Sequence, residues 1–321
     1  MAKKTKIAIN GFGRIGRLAL RCAINNENLE IAAITFSHGA KNAAQLFKYD
    51  SVYGKFDGTI IVEGENLVVN GKKIPIINER DPTKMPWKTL GIQIVLECTG
   101  EFRKKEQVLA HLNSGAKKVI ISAPAKGEVE SFVIGVNDKN NYADVIDNAS
   151  CTTNCLMPVL NVLQKEFGIK RAFVTTIHAY TNDQRLLDGS HDDPRRARAA
   201  ALNIIPTSTG AKEAAQKIMP ELTGKVDGMA IRVPVPSGSL VDVVCELNKK
   251  TTAEEINNSM KKASQTYLSG ILEYSEEPLV SSDIIGNKHS SVFDSLSTKV
   301  LDGNFIKVLS WYDNEMAYSQ R

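Results

Sequence analysis

The string Ala149-Ser150-Cys151-Thr152-Thr153-Asn154-Cys155 sets a cysteine behind a small-residue turn, at the expected start of a helix from Thr152 to Phe167. A thiol there lies beside unpaired backbone N–H groups and the positive end of the helix dipole, both of which favour the reactive thiolate. Downstream, His178 closes the strand-like run Ala172–Ile177. A histidine in a sheet is usually a satisfied core residue. At a strand end, in a chain that also carries a helix-start cysteine, it can complete a Cys–His pair, a common way to make a thiolate at neutral pH. Cys155 falls one helical turn beyond Cys151 and reads as a small packed residue rather than a redox partner. Cys22, Cys98 and Cys245 sit in apolar runs and read as core.

Upstream, the short strand Lys6–Asn10 runs into Gly11-Phe12-Gly13-Arg14-Ile15-Gly16 and a helix from Arg14 to about Asn25; Ile31–Thr35 is a second buried strand. This strand, Gly-turn, helix, strand order is the context in which the glycine pattern binds a dinucleotide. Gly11 permits the tight turn, Gly13 lets a pyrophosphate approach the backbone, and Gly16 lets helix and strand pack closely. An acid that would hold the adenosine ribose is expected about twenty residues on. That place holds Thr35-Phe36-Ser37-His38. Without a carboxylate to repel a 2′-phosphate, and with Ser37, His38 and Lys41 at hand, the expected cofactor is NADP, NAD or both.

The elements that must position these groups form two domains. The 321 residues suffice for two full cores. A formal net charge of +4 is too small for a dedicated nucleic-acid binder. Five cysteines without paired spacing suit reduced thiols, not a disulfide framework. The expected compartment is the cytoplasm, with a plastid stroma as the alternative. Neither a signal-peptide run nor a membrane-length apolar run is visible, no membrane partner is expected, and no Cys/His cluster has metal spacing. Strands at Ile92–Cys98 and Lys118–Ser122, with a helix from Lys104 to Ser114, extend the parallel sheet. Thr59–Ile77, broken at Asn70-Gly71, reads as an antiparallel hairpin excursion. Phe132–Val136 reads as a last strand. Beyond Cys151, strands at Arg171–Ala179, Gly228–Val235, Leu240–Leu247 and Lys307–Asp313, with helices at Gly210–Met219 and Ala253–Tyr267, suggest a mixed or antiparallel sheet with helices on one face. The fold class is thus α/β plus α+β: a Rossmann-type nucleotide-binding domain over 1–150, with 315–321 returning to it, and a catalytic domain over 151–314.

Longer motifs carry a family resemblance across essentially the whole chain. Asn10-Gly-Phe-Gly-Arg-Ile-Gly-Arg17, Ser150-Cys-Thr-Thr-Asn-Cys155, His178-Ala-Tyr-Thr-Asn-Asp-Gln184, Arg195-Arg-Ala-Arg-Ala-Ala200, Ile205-Pro-Thr-Ser-Thr-Gly210 and Trp311-Tyr-Asp-Asn-Glu315 occur in the same order in phosphorylating glyceraldehyde-3-phosphate dehydrogenase, which this sequence resembles in its bacterial and plastid branch. The resemblance implies that Cys151 attacks the aldehyde of glyceraldehyde 3-phosphate, that His178 acts as base, and that inorganic phosphate cleaves the resulting thioester. It places Thr181 and Arg232 at the substrate phosphate. Ser150, Thr152, Arg196, Thr209 and Gly210 match the other phosphate contacts. Asn314 matches the residue that holds the nicotinamide carboxamide; Arg80, Thr99 and Ser122 join Gly11, Gly13, Arg14, Ile15, Gly16, Phe36 and Ser37 around the cofactor. It also implies a homotetramer in which the loop Thr181–Leu202 lies near a neighbour's cofactor.

Three departures stand out. Phe36 replaces the usual acid. Gly189-Ser190 stand where many NAD-preferring relatives have Leu-Pro, and Ser190 resembles the serine of NADP-using forms. The sequence stops at Arg321, where relatives continue with a further helix. Two other functions compete: erythrose-4-phosphate dehydrogenase, which hydrolyses its acyl intermediate, and a non-catalytic nucleotide- or partner-binding relative. Thr152 and Ser208-Thr209-Gly210 favour the phosphate-using form, and the complete set Cys151, His178, Arg232 and Asn314 argues for an enzyme.

Overall fold

Strand Thr5–Asn10 alternates between two faces that are both buried. Ile7 and Ile9 join a core with Phe12, Leu20, Ile34 and Phe47, while Ala8 joins another with Trp87, Val95 and Val108. A strand covered on both sides needs apolar residues throughout, which is why its sequence reads as a continuous run. The computed structural model describes residues 4–138 and 143–321. It divides into two compact units: 1–132 with 139–150 and Gln320, and 133–138 with 151–319 and Arg321.

The first unit holds a nine-stranded sheet in the order 130–131, 145–147, 118–121, 94–97, 5–10, 29–35, 72–77, 66–69, 60–63. Pairing is parallel as far as 72–77 and antiparallel beyond it. The turn joining strands 66–69 and 72–77 has Asn70 and Gly71 both at positive φ (49° and 76°), the geometry a two-residue hairpin demands. Helices Arg14–Ala23 and Gly39–Lys48 supply one core and Lys105–Asn113 the other.

The second unit holds a seven-stranded mixed sheet in the order 205–207, 226–233, 169–179, 239–247, 305–312, 291–301, 272–275. Helix Cys151–Glu166 packs against it with every residue from Thr152 to Leu163 buried. Pro158 sits inside that helix, at the cost of one backbone hydrogen bond. The far face of the sheet carries exposed Phe173, Met229 and Phe305.

Several expectations need correction. Phe132–Val136 is not a strand; the strand there is Glu130–Ser131. Gly135 has φ 82°, and the side chains of Asn137 and Asp138 accept from Val133 N–H and Gly135 N–H, folding the run into turns. Helix Gly39–Lys48 and strands Val145–Asp147, Leu272–Ser275 and Ser291–Leu301 were not anticipated. Residues 315–319 and 321 group with the second unit, not the first; Arg321 donates to the carbonyls of Gly270 and Lys288 there. No helix among the described residues is long and apolar enough to cross a membrane.

Candidate active site

Helix Cys151–Glu166 presents Cys151 as its first residue, after Ala149 with φ 51°. Strand Ile169–Ala179 delivers His178 near its end, 4% exposed. The Sγ of Cys151 lies 3.4 Å from Nε2 of His178. The other ring nitrogen fixes the tautomer. Nδ1 lies 2.6 Å from the Ala179 carbonyl and 2.9 Å from the Arg232 guanidinium. Both cannot be hydrogen bonds, because a protonated Nδ1 cannot accept from Arg232. Arg232 itself reaches the same carbonyl at 3.1 Å and the Thr181 hydroxyl at 3.4 Å. The shorter contact and the shared acceptor assign the proton to Nδ1, so Nε2 faces the thiol as an acceptor.

Burial lowers the His178 pKa to about 3, with the Arg232 charge acting in the same direction. Burial also pushes the Cys151 thiol up, while Arg232 and the backbone N–H and hydroxyl of Thr152 pull it down. The helix-start groups pull toward the thiolate, as expected, but desolvation outweighs them and holds the Cys151 thiol above its ordinary range. The hydroxyl of Tyr312 bridges the Thr152 and Thr176 hydroxyls at 2.9 and 2.8 Å, and its ring meets His178 edge-on at 5.9 Å.

Further groups of the second unit surround this pair. Arg196 is held by the Asp183 carboxylate (2.7 Å), the Thr207 hydroxyl (2.9 Å) and the Ser208 carbonyl (3.2 Å). Thr209 and Gly210 precede helix Ala211–Ile218, with Gly210 at its N-cap. The Ser239 hydroxyl accepts from Ala179 N–H and donates to Asn314 Oδ1, tying Asn314 to the strand end that bears His178. Ser190 lies with Asn182, Asp183, Arg185 and His191 along a cavity of about 500 Å³. Asp183, Thr207, Ser239 and Tyr312 were not singled out beforehand. All but Ser239 stood inside quoted motifs, but their partners are mostly distant in sequence. Cys155 is fully buried, its thiol pushed up to about 12 by burial among Ser291 and Ser310, which leaves it inert. Cys245 is buried, whereas Cys22 and Cys98 are only partly so.

In the first unit, Gly11, Gly13, Phe36, Ser37, Arg80 and Thr99 line one cavity of about 220 Å³. The glycines fit a dinucleotide for distinct reasons. Gly11 has φ 96°, and a Cβ there would lie 2.8 Å from Thr99 N; a Cβ on Gly16 would lie 2.0 Å from Gly11 O. A Cβ on Gly13 would meet nothing within 4 Å, which leaves room for a ligand against the backbone. Arg80 donates to Ser37 Oγ at 3.2 Å, and Phe36 packs edge-on to Phe12. Ile15 lies within the helix that follows. The Arg14 side chain turns aside to pair with Asp50 at 2.6 Å. The Ser122 hydroxyl meets the Cys98 thiol. Glu79 and Glu101 also line the cavity, and neither was anticipated. Among the described residues no cluster of three His, Cys, Asp or Glu could hold a metal ion.

A Gly-rich turn between parallel strands, joined in one chain to a Cys–His pair with Arg232 beside it, defines a nucleotide-dependent dehydrogenase that works through a cysteine. Comparison with known proteins narrows the class. Residues 5–105 match the glyceraldehyde 3-phosphate dehydrogenase NAD binding domain and residues 150–314 its C-terminal domain. The chain is 57% identical over 319 residues to the glyceraldehyde-3-phosphate dehydrogenase of Priestia megaterium, covering 98% of this chain and 95% of that protein. Two Bacillus subtilis proteins, glyceraldehyde-3-phosphate dehydrogenases 1 and 2, are 57% and 49% identical, covering 98% and 99% of this chain and 95% and 94% of theirs. The chain belongs to the glyceraldehyde-3-phosphate dehydrogenase family.

Proposed function

We propose that this enzyme converts D-glyceraldehyde 3-phosphate and inorganic phosphate to 1,3-bisphosphoglycerate, reducing NAD or NADP. The observation that carries the mechanism is the 3.4 Å approach of Cys151 Sγ to an unprotonated His178 Nε2. As the sulfur attacks the aldehyde carbon, Nε2 takes the thiol proton and returns it to the new alkoxide, giving a hemithioacetal. The bound oxidised nicotinamide supplies the hydride acceptor. Nε2 takes the hemithioacetal hydroxyl proton as the carbon is oxidised to a thioester. A phosphate oxygen then attacks the thioester carbon, the C–S bond breaks, and the acyl phosphate leaves Cys151 as thiolate.

Arg232 with Thr181 suits the substrate phosphate: both flank His178, and a guanidinium fork matches phosphate oxygens. Ser150, Thr152, Arg196, Thr209 and Gly210 take the attacking phosphate. Asn314, its Oδ1 occupied by Ser239, offers its amide N–H to the nicotinamide carboxamide. Gly11, Gly13, Arg14, Ile15, Gly16, Thr99 and Ser122 frame the dinucleotide. Ser37 and Arg80, in contact along the cavity, take a 2′-phosphate, with Phe36 supplying no carboxylate at the position of the usual acid. Leu186, Leu187, Leu202 and Ile204 are each at least 70% exposed, an apolar surface that supports assembly, here as a homotetramer. Five free thiols suit a reducing cytoplasm.

Steady-state kinetics on glyceraldehyde 3-phosphate with each dinucleotide, with and without phosphate, tests the reaction. Strong phosphate dependence and loss of activity on alkylation of Cys151 are expected. Equal rates without phosphate would favour hydrolysis of the acyl intermediate instead.

A further inference from the structure

Glu97 is 1% exposed, in the first unit beside the Gly-rich cavity, and the mechanism gives it no task. Its carboxylate faces four donors. Oε2 accepts from Asn10 Nδ2 at 2.5 Å and from His111 Nε2 at 3.2 Å; Oε1 accepts from the backbone N–H of Thr99 at 2.8 Å and from the Thr99 hydroxyl. The buried indole of Trp87 donates to His111 Nδ1 at 2.9 Å, so the proton on that neutral imidazole sits on Nε2, pointing at Glu97. The carboxylate is therefore balanced by neutral donors. A buried charge of that kind persists only where every donor stays in place.

Two arms lead from it to the cavity. One is direct: Thr99 lines the cavity. The other runs through Asn10, whose Oδ1 accepts from the Thr35 hydroxyl at 2.7 Å, while Thr35 Oγ1 accepts from Gly11 N–H at 2.8 Å. The Gly11 and Thr99 turns also touch, since a Cβ on Gly11 would lie 2.8 Å from Thr99 N. We propose that Glu97 is a positioning residue for the dinucleotide: it clamps the Gly11 and Thr99 turns at the spacing the ligand needs and sets nucleotide affinity without touching the reacting atoms. This rests on the reading of the cavity as the dinucleotide site.

A glutamine at 97 keeps the shape but turns an NH2 group toward a pair of donors, so one arm must open. In Glu97→Gln the KM and Kd for the preferred dinucleotide are expected to rise at least tenfold. The kcat at saturating dinucleotide, the KM for glyceraldehyde 3-phosphate and the alkylation rate of Cys151 by iodoacetate should stay within threefold of wild type. Glu97→Asp should recover part of the affinity. An unchanged dinucleotide KM in Glu97→Gln, or a kcat that falls in step with kcat/KM, would overturn the proposal. If Glu97→Gln does not fold, Thr35→Val, which cuts only the Gly11 arm, decides: a threefold or greater rise in dinucleotide KM supports the clamp and no rise overturns it. A wild-type protein without dinucleotide-dependent activity would instead refute the cavity reading itself.

Discussion

Arg232 stands 2.9 Å from Nδ1 of His178 without bonding to it, both groups donating to the Ala179 carbonyl. The cation thus lies beside the base it keeps neutral. Its charge acts downward on the His178 and Cys151 pKa values alike. In Arg232→Gln the thiol loses that pull, and the pH profile of Cys151 alkylation by iodoacetate should move to higher pH by roughly one unit, within the range one nearby charge produces. The KM for glyceraldehyde 3-phosphate should rise at least tenfold in the same variant. A profile that stays put would mean that Arg232 does not govern the thiol.

The same burial makes His178 a source of acid sensitivity. Folded, it is neutral down to about pH 3; unfolded, it titrates near 6.5. Above pH 6.5 neither state binds the proton, so the group contributes no slope. Between about 6.5 and about 3 the unfolded chain binds a proton the folded chain does not. Stability therefore falls as pH drops, by up to about 1.4 kcal/mol per pH unit. His178→Gln removes this contribution. Urea melts of both proteins at pH 7 and pH 5 should show the wild type losing more stability; parallel losses would contradict the assignment.

The cofactor cavity yields a prediction on specificity. Phe36 is partly buried beside Ser37, and Arg80 reaches the Ser37 hydroxyl. Phe36→Asp should place a carboxylate near a 2′-phosphate, lowering kcat/KM for NADP at least tenfold while leaving that for NAD within threefold. An enzyme whose wild-type kcat/KM already favours NAD tenfold would show that the missing acid does not govern the choice.

What could be read from the sequence was whatever the local backbone demands. Gly11, Gly16 and the Asn70-Gly71 turn each need a conformation or an approach that few residues allow, so their roles were legible. Cys151 and His178 were legible from their places at a helix start and a strand end, which suggested the pair, and the resemblance added their roles. The misses share another cause. Strand Ser291–Leu301 buries Ser291, Asp294, Ser295 and Thr298, polar residues that look like a loop until their partners are known. Those partners are remote: Ser291 bonds the Cys155 carbonyl and Asp294 accepts from Trp311. Tyr312, Ser239 and Thr207 escaped for the same reason, since each acts through a group that only the fold brings near.

Thr207 tests whether the arginine fork must be held. Its hydroxyl accepts from Arg196 Nε at 2.9 Å and donates to Asp193 at 2.5 Å. Thr207→Val removes both bonds and keeps the volume. One lost hydrogen bond of about 1 kcal/mol corresponds to roughly a fivefold effect. The KM for inorganic phosphate should rise by about that factor, with KM for the dinucleotide unchanged. An unchanged phosphate KM would remove Arg196 from the phosphate contacts.

Tyr312 separates stability from catalysis. It is 1% exposed, and its hydroxyl is the bridge between Thr152, which follows the nucleophile, and Thr176, which lies on the strand of the base. Tyr312→Phe keeps the ring against His178 and removes only the bridge. The Thr176 hydroxyl then loses its bond and that of Thr152 is left with the Cys151 thiol alone, at a cost of about 1–3 kcal/mol. The unfolding midpoint should fall by several degrees. Helix and strand keep their packing, so kcat should drop less than about tenfold, against the roughly 10²-fold or larger loss expected for His178→Gln. A kcat loss in Tyr312→Phe as deep as that of His178→Gln would make the phenol a participant in proton transfer instead of a brace.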